Sequence, residues 1–353
     1  MKLQQKELRK TFTSTINEWR LYIETFLKWL VIASLIGGAG GLIGAIFHHS
    51  IDMAEVFRST HPWLLWLLPI AGLLIVGFYK MTKTEGLNTN HVIRAVHKGK
   101  KLSVMLMPAI FFATVLTQLC GGSAGREGAA LQMGGTIGQW IGRGLHLDDS
   151  DLRIATLAGM AAFFSALFGT PLAAAVFAVM VISIGILYHV ALVPCLIASL
   201  AAYFLAGALG VQPVRFAVQV PEASAMTFFQ VGFLGILCAL VSILFCMMMH
   251  GAEKGMRKIL PNAWLRVLAG AGIIIVLTYL CGTNDYNGVG MGVIAAAIEE
   301  GKAEPLAFLL KLVFTSVTLA AGFKGGEIVP SFFVGAAFGC VIAPLIGLPA
   351  GFG

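Results

Sequence analysis

A chain of 353 residues that is 58% hydrophobic and 12% charged, with a mean hydropathy of +0.87, is built for lipid rather than for a water-soluble core. Its formal net charge of +7 is no nucleic-acid footprint, because the cations gather in loops that alternate crossings place on one side. Six scattered cysteines without CxxC spacing exclude a disulfide framework and a zinc site.

Residues 1–28 are polar and amphipathic with no basic-then-apolar leader. They are expected to form a cytosolic or interfacial helix, with Trp19, Leu21, Tyr22 and Phe26 resting on the inner leaflet. Uncharged windows near the length of about 20 residues that crosses a hydrocarbon core follow at 29–47, 59–79 and 102–125. Lys2, Lys6, Arg9 and Lys10 precede the first window, and Lys80, Lys83, Arg94, Lys98, Lys100 and Lys101 follow the second. Two loops an even number of crossings apart share this basic bias, so both are expected in the cytosol. The His48–His49 pair falls at a span end and reads as a solvated interfacial pair rather than a metal site.

Residues 154–214 contain no Asp, Glu, Lys or Arg, room for about three crossings divided by Pro171, Pro194 and Gly-rich joints. Gly169-Thr170-Pro171 predicts a helix start with Thr170 as its N-cap. Windows at 223–252 and 267–284 follow, then an acidic loop with Asp285, Glu299, Glu300 and Glu304, then a last window at 328–353. The fold expected is an all-α, multi-pass membrane protein of the cell inner (plasma) membrane with a cytosolic N-terminus.

A self-similarity runs through it at an offset of 201 residues. Residues 92–100 match 293–302 with one residue of slack. Thr114, Thr117, Gly121, Gly125, Gly134 and Gly138 then find Thr315, Thr318, Gly322, Gly326, Gly335 and Gly339. The first copy leaves a basic loop and the second an acidic one, so the two are expected to have opposite topology. Inverted repeats of that kind place a substrate site near the midplane, where broken helices of both copies meet.

Both copies reach their most unusual sequence in the same register, GGSAGREGAALQMGG at 121–135 and GFKGGEIVPSFFVGA at 322–336. Each reads as a membrane helix interrupted by glycines and restarting at depth, with Pro330 tolerated early in the new helix. A restarting helix presents unbonded N–H groups and the positive end of its dipole. Two such ends aimed at one point bind a small halide, whereas a fixed Lys or Arg would hold it too tightly. Glu127 is an ionisable group at membrane depth and reads as functional. The bland alternative is an Arg126–Glu127 ion pair that braces the loop. A carboxylate can occupy an anion site and leave it when protonated, which makes one group both gate and proton carrier. Glu327 is either a further functional carboxylate or a vestibule group neutralised by Lys324.

GREG at 125–128 resembles the signature of CLC chloride channels and proton-coupled exchangers, and GEIVP at 326–330 resembles that family's second filter motif. GTPLAAAVFA at 169–178 is similar to the helix before the family's inner mouth and dimer interface. The likeness runs from about residue 29 to the end. It implies a CLC-type inverted-repeat bundle over 29–353, with repeats at about 29–210 and 223–353. It also implies Glu127 as the external gate and proton acceptor, with an anion site lined mostly by the backbone amides of Gly125, Arg126, Gly128, Glu327, Ile328 and Val329. The expected partners are chloride or fluoride, protons, membrane lipid and a second copy of the chain. No cofactor, metal or nucleic acid is implied.

The departures from the family pattern bear on mechanism. Ala129 stands where the family has Pro after GREG. The first filter loop corresponds to GLNTN, which begins at Gly86 and runs to residue 90, where Asn88, Thr89 or neither replaces the usual serine. Met180 and Val181 occupy the place of the glutamate that feeds protons from the cytosol in many exchangers. A fluoride-exporting branch shares GREG without the Pro, and GGE in the second motif, which keeps fluoride beside chloride. The chain stops soon after the helix at Pro330, which reads as a truncated sequence lacking the helix with the family's site-closing tyrosine. Proton-coupled exchange is the favoured mode. A passive channel and a non-transporting scaffold are the alternatives, and no nucleophile–base pair, metal-ligand spacing or P-loop supports an enzyme.

Overall fold

The structure, a computed structural model, describes residues 2–98, 101–181 and 188–353, with side chains described from Trp19 on, except at His97 and Lys98. The side chains of Lys2, Lys6, Arg9, Lys10, Lys98 and Lys100 therefore lie outside the described residues. The helices in chain order are α1 (Lys2–Thr60), α2 (Leu68–Met81), α3 (Thr89–Lys98), α4 (Leu106–Leu119), α5 (Glu127–Gly144) and α6 (Asp149–Phe168). After them come α7 (Pro171–Met180), α8 (Leu192–Ala208), α9 (Ala225–Ile259), α10 (Ala263–Cys281), α11 (Met291–Ala295), α12 (Ala307–Ala321) and α13 (Ile328–Ile342). α11 continues as a π turn through Glu300.

By length and composition, seven stretches among the described residues are able to cross a membrane: Trp19–Thr60, Pro62–Met81, Asp149–Phe168, His189–Ala208, Ala225–Ile259, Ala263–Cys281 and Ile328–Ile346. The chain is a multi-pass, all-helical membrane protein. Two expectations change. The window at 102–125 contains a helix of only 14 residues, about 21 Å long, too short for a hydrocarbon core of about 30 Å. Among the described residues the uncharged block holds two crossings rather than three, because α7 has only 10 residues. Its proline joints behave differently from one another. Pro171 starts α7, whereas Pro194 sits in the first turn of α8, where a missing N–H breaks nothing. Thr170 does precede α7, but its side chain makes no capping bond. At the other end, α1 is continuous across Lys28 and Trp29, so the polar N-terminal segment passes into the first crossing without a turn.

Glycine and alanine set how closely the helices approach. α6 is the buried centre, 78% of its best apolar window being enclosed, while only 11% of that of α9 is. A Cβ on Gly134 or Gly138 of α5 would strike the carbonyls of Gly159 and Ala155 on α6. Gly37 and Gly41 of α1 meet Ala198 and Ala202 on α8, and Gly40 and Gly44 on the next face meet Ala162 and Ala166 on α6. Small residues let backbones touch where lipid supplies no hydrophobic drive between helices.

The repeat is visible in the backbone. α4 and α5 are separated by a loop that turns at Gly121, with φ of 86°, and α12 and α13 by one that turns at Gly322, with φ of 112°. The positive φ is glycine's conformation and ends each helix at the same register.

A valine at Gly134 should destabilise the protein by about 1–3 kcal/mol through overpacking against α6. A valine at Gly335, its repeat mate, should be close to neutral, since a Cβ there meets open space. Thermal unfolding of the two purified variants in one detergent checks the contrast.

Candidate functional site

The two interrupted helices meet through their backbones. Gly125 N–H donates to the Gly326 carbonyl at 2.7 Å and Gly326 N–H donates back to Gly125 at 2.8 Å. The residues that follow are the N-caps of α5 and α13, Arg126 at φ −114°, ψ −10° and Glu327 at φ −111°, ψ −10°. Side chains reinforce the pairing in the same two-fold sense. The Ser123 amide donates to Thr318 Oγ1 at 3.1 Å, and the Lys324 amide donates to Thr117 Oγ1 at 3.3 Å. Symmetry breaks at the side chains of those two residues. Ser123 pairs with Thr315 at 3.0 Å, whereas Lys324 turns to the Tyr79 ring, leaving the buried Thr114 hydroxyl without a partner.

Glu127 lies where the two N-termini converge. Its carboxylate accepts from the Ile328 amide, with the amides of Val329, Arg126 and Glu127 itself also directed at it. The side chain is fully buried, and Oε2 has no partner. A Cβ on Gly125 or Gly326 would collide with this carboxylate, which is why both N-caps are preceded by glycine. Gly128 has the same necessity from the other side, since its Cβ would stand 2.8 Å from the Gly325 carbonyl. The amide of Gly125 is occupied by the bridge to Gly326, so among the amides expected to face an anion this one is not free to do so.

Arg126 is turned away from Glu127, so the bracing ion pair is absent. Its Nη1 donates to Asp52 Oδ1 at 3.1 Å and contacts His48 Nδ1 at 3.0 Å, with the Phe168 ring 5.8 Å from the guanidinium carbon. His48 is thus a buried residue and not the solvated interfacial group expected of it; its neighbour His49 bonds the Leu209 carbonyl at 3.0 Å.

The first filter loop reaches the same place. Gly86 turns with φ of 74°, and Asn88 Oδ1 accepts from the His91 amide at 3.1 Å, so its side chain caps α3. Thr89 Oγ1 donates to the Gly128 carbonyl at 3.4 Å and accepts from Gln132 Nε2 at 3.2 Å. α3, α5 and α13 therefore present their N-termini to one cavity of about 670 Å³, lined by Gly86, Asn88, Thr89, Glu127, Gly128 and Glu327–Ile328. Glu327 is exposed into it and forms no ion pair with Lys324. Val181 stands in its wall without a titratable group, but Glu85, His250 and Glu253 line it too. Sequence reading missed the last two because they lie on α9, far from any motif. Their one signal is polarity ending a long apolar run.

Two broken helices with paired N-termini around a buried carboxylate, in a multi-pass bundle, define an anion-handling membrane protein built on an inverted repeat. The comparisons agree. Residues 71–351 match the voltage gated chloride channel family, and the chain belongs to that CLC family. A chloride/fluoride channel protein of Pseudomonas syringae pv. tomato is 35% identical over 334 residues, 92% of this chain and 74% of that protein. The crystal structure of a CLC-type fluoride/proton antiporter superposes with a TM-score of 0.87 at 31% identity, covering 92% of this chain and 83% of that one. A slow cyanobacterial Cl⁻/H⁺ antiporter shares the fold, with a TM-score of 0.76 at 20% identity over 90% and 79% of the two chains.

Replacing Thr318 by Val should cost about 1–3 kcal/mol, because the Ser123 amide is then left buried without an acceptor. Thr117→Val should cost less, since the Lys324 amide is only part-buried and its bond is longer. Thermal melts of both variants beside the parent give the comparison.

Proposed function

We propose that this chain carries a small halide across the membrane in exchange for protons, with Glu127 as the gate and the proton acceptor. The observation behind the reading is the Glu127 carboxylate at the meeting point of the α5 and α13 N-termini, held by the Ile328 amide. An ionised carboxylate there is a tethered stand-in for the anion. Protonated, it loses the charge that the helix ends attract, and it leaves. A halide then takes the place, facing the amides of Arg126, Ile328 and Val329, with no fixed cation in the site to trap it. The unpartnered Oε2 supplies an oxygen on which the proton can reside.

The cavity beneath is the inner approach. Arg257 and Arg266 line it, and Lys80, Lys83 and Lys254 stand close in sequence to its lining residues Tyr79, Glu85 and Glu253, a basic bias that supports a cytosolic placement of that end and of the N-terminus. In this reading residues 1–28 rest on the inner face of the plasma membrane and 29–353 form the transport domain, with repeats at about 29–210 and 223–353. A second copy packs on the exposed apolar face of α7, α8 and the turn that leads into α8, at Leu172, Val176, Val190 and Val193. Fluoride stands beside chloride as cargo because relatives bearing either name are the ones this chain is similar to. A passive channel is the second reading, favoured by Val181 at the expected inner proton position.

Efflux of chloride and of fluoride from proteoliposomes, with pH recorded on the same sample, tests the assignment. Wild-type protein should move halide and protons in fixed ratio, and Glu127→Gln should abolish the proton movement. If Glu127→Gln leaves both fluxes unchanged, the gate is elsewhere. Halide flux without any proton signal in the wild type makes the protein a channel.

A further inference from the structure

His48, Asp52 and Arg126 form a closed triangle beside the gate. Arg126 Nη1 is 3.0 Å from His48 Nδ1 and 3.1 Å from Asp52 Oδ1, and His48 Nε2 is 2.9 Å from Asp52 Oδ2. A guanidinium has only donors. The contact with His48 therefore requires a bare Nδ1, and the ring proton sits on Nε2, where Asp52 accepts it. A carboxylate that selects the tautomer of a histidine which in turn holds a third group is a recurring means of fixing orientation.

We infer that His48 is a positioning residue for the gate: neutral, it seats Arg126, and protonated from the outer side, it unseats it. The inference rests on the reading of Glu127 as the gate. A second ring proton on Nδ1 would oppose N–H to N–H, turning an attraction into a repulsion between two cations. Arg126 has little to fall back on, since its Nε is already buried without a partner and Asp52 is left to serve both groups. Arg126 is also the N-cap of α5 and the residue before Glu127, with its own amide directed at the Glu127 carboxylate. Loosening its side chain loosens the loop that holds Glu127 in place.

The proton has a route. His48 and Arg126 are 8% and 6% exposed, but the Asp52 side chain is 47% exposed and contacts both. The titratable groups facing His48 are Asp52 and His49 on α1, the His49 ring 5.6 Å away, and Arg126 ahead of α5. α6 brings the Phe168 ring to Arg126, and the end of α8 brings the Leu209 carbonyl to His49; neither titrates. Asp52 and His48 lie on the outer half of α1, near Glu55, which binds the Val289 amide of the 282–290 loop at 3.2 Å. Sensing is therefore of outer rather than cytosolic pH.

The test separates this group from the gate's own titration. Halide efflux is measured from full-chain proteoliposomes at fixed inner pH, with outer pH lowered from about 7.5 to about 5.5, the range in which histidine changes charge. In wild-type protein His48→Gln, which keeps a hydrogen-bonding amide but cannot ionise, should remove about tenfold of the acid-driven rise in efflux, the effect of losing one hydrogen bond to a charged group. On the Glu127→Gln background, where no carboxylate is left to hold, the same change should leave the profile as it was. An unchanged profile when His48→Gln is made in wild type, or an equal loss in both backgrounds, overturns the inference. Nitrogen-15 spectra of histidine-labelled wild-type protein need no variant to fold or conduct. They should show His48 as the Nε2–H tautomer at neutral pH, and a ring carrying the proton on Nδ1, or on both nitrogens, overturns it. Failure of the gate reading looks different: Glu127→Gln then leaves flux and proton coupling as in wild type, whatever the His48 spectrum.

Discussion

Two backbone hydrogen bonds, from Gly125 to Gly326 and back, organise everything else at the site. They tie the start of α5 to the start of α13, and so place two helix N-termini within reach of one carboxylate. Neither helix end could face hydrocarbon alone, because its free N–H groups would have no partner there. Each finds its acceptor in the other copy's loop or in Glu127. The glycines follow from this constraint, since side chains at 125 or 326 would occupy the space of the Glu127 carboxylate.

The same geometry explains where the positive charge went. Three cations lie near the meeting point, and each is engaged elsewhere. Arg126 faces Asp52 and His48, Lys324 stacks 4.5 Å from the Tyr79 ring centroid, and Lys311 donates to the carbonyls of Tyr286 and Gly288 at 3.2 and 2.7 Å. They contribute potential around the site while the site itself offers only amides. Dipoles bind a small anion without the grip of a full charge, and release is as necessary to transport as binding.

Much of this was legible in the sequence. Composition alone dictated a membrane bundle, and the offset of 201 residues by itself pairs Gly125 with Gly326. Glu127 drew attention as a lone carboxylate at depth between glycines. The short helices were harder, because hydropathy reports an apolar stretch and not whether backbone turns inside it. Residues 102–125 looked like a crossing, yet Gly121 ends α4 early by taking a left-handed φ. Pro194 looked like a divider, yet it falls in a first turn, where proline is harmless.

What the sequence by itself determined is local or periodic: the apolar runs, the repeat, the glycine-rich loops and the basic ends. Each depends on residues near one another in the chain, or on a spacing that any two copies must share. What only the tertiary structure decided is partnership across distance. Arg126 had an obvious partner one residue away, but its side chain reaches α1 instead, 74 residues back in the chain. His250 and Glu253 enter the cavity because α9 packs beside α12, which no local pattern reports. A charged group at membrane depth must find its counter-charge wherever the fold brings one, and that choice belongs to packing.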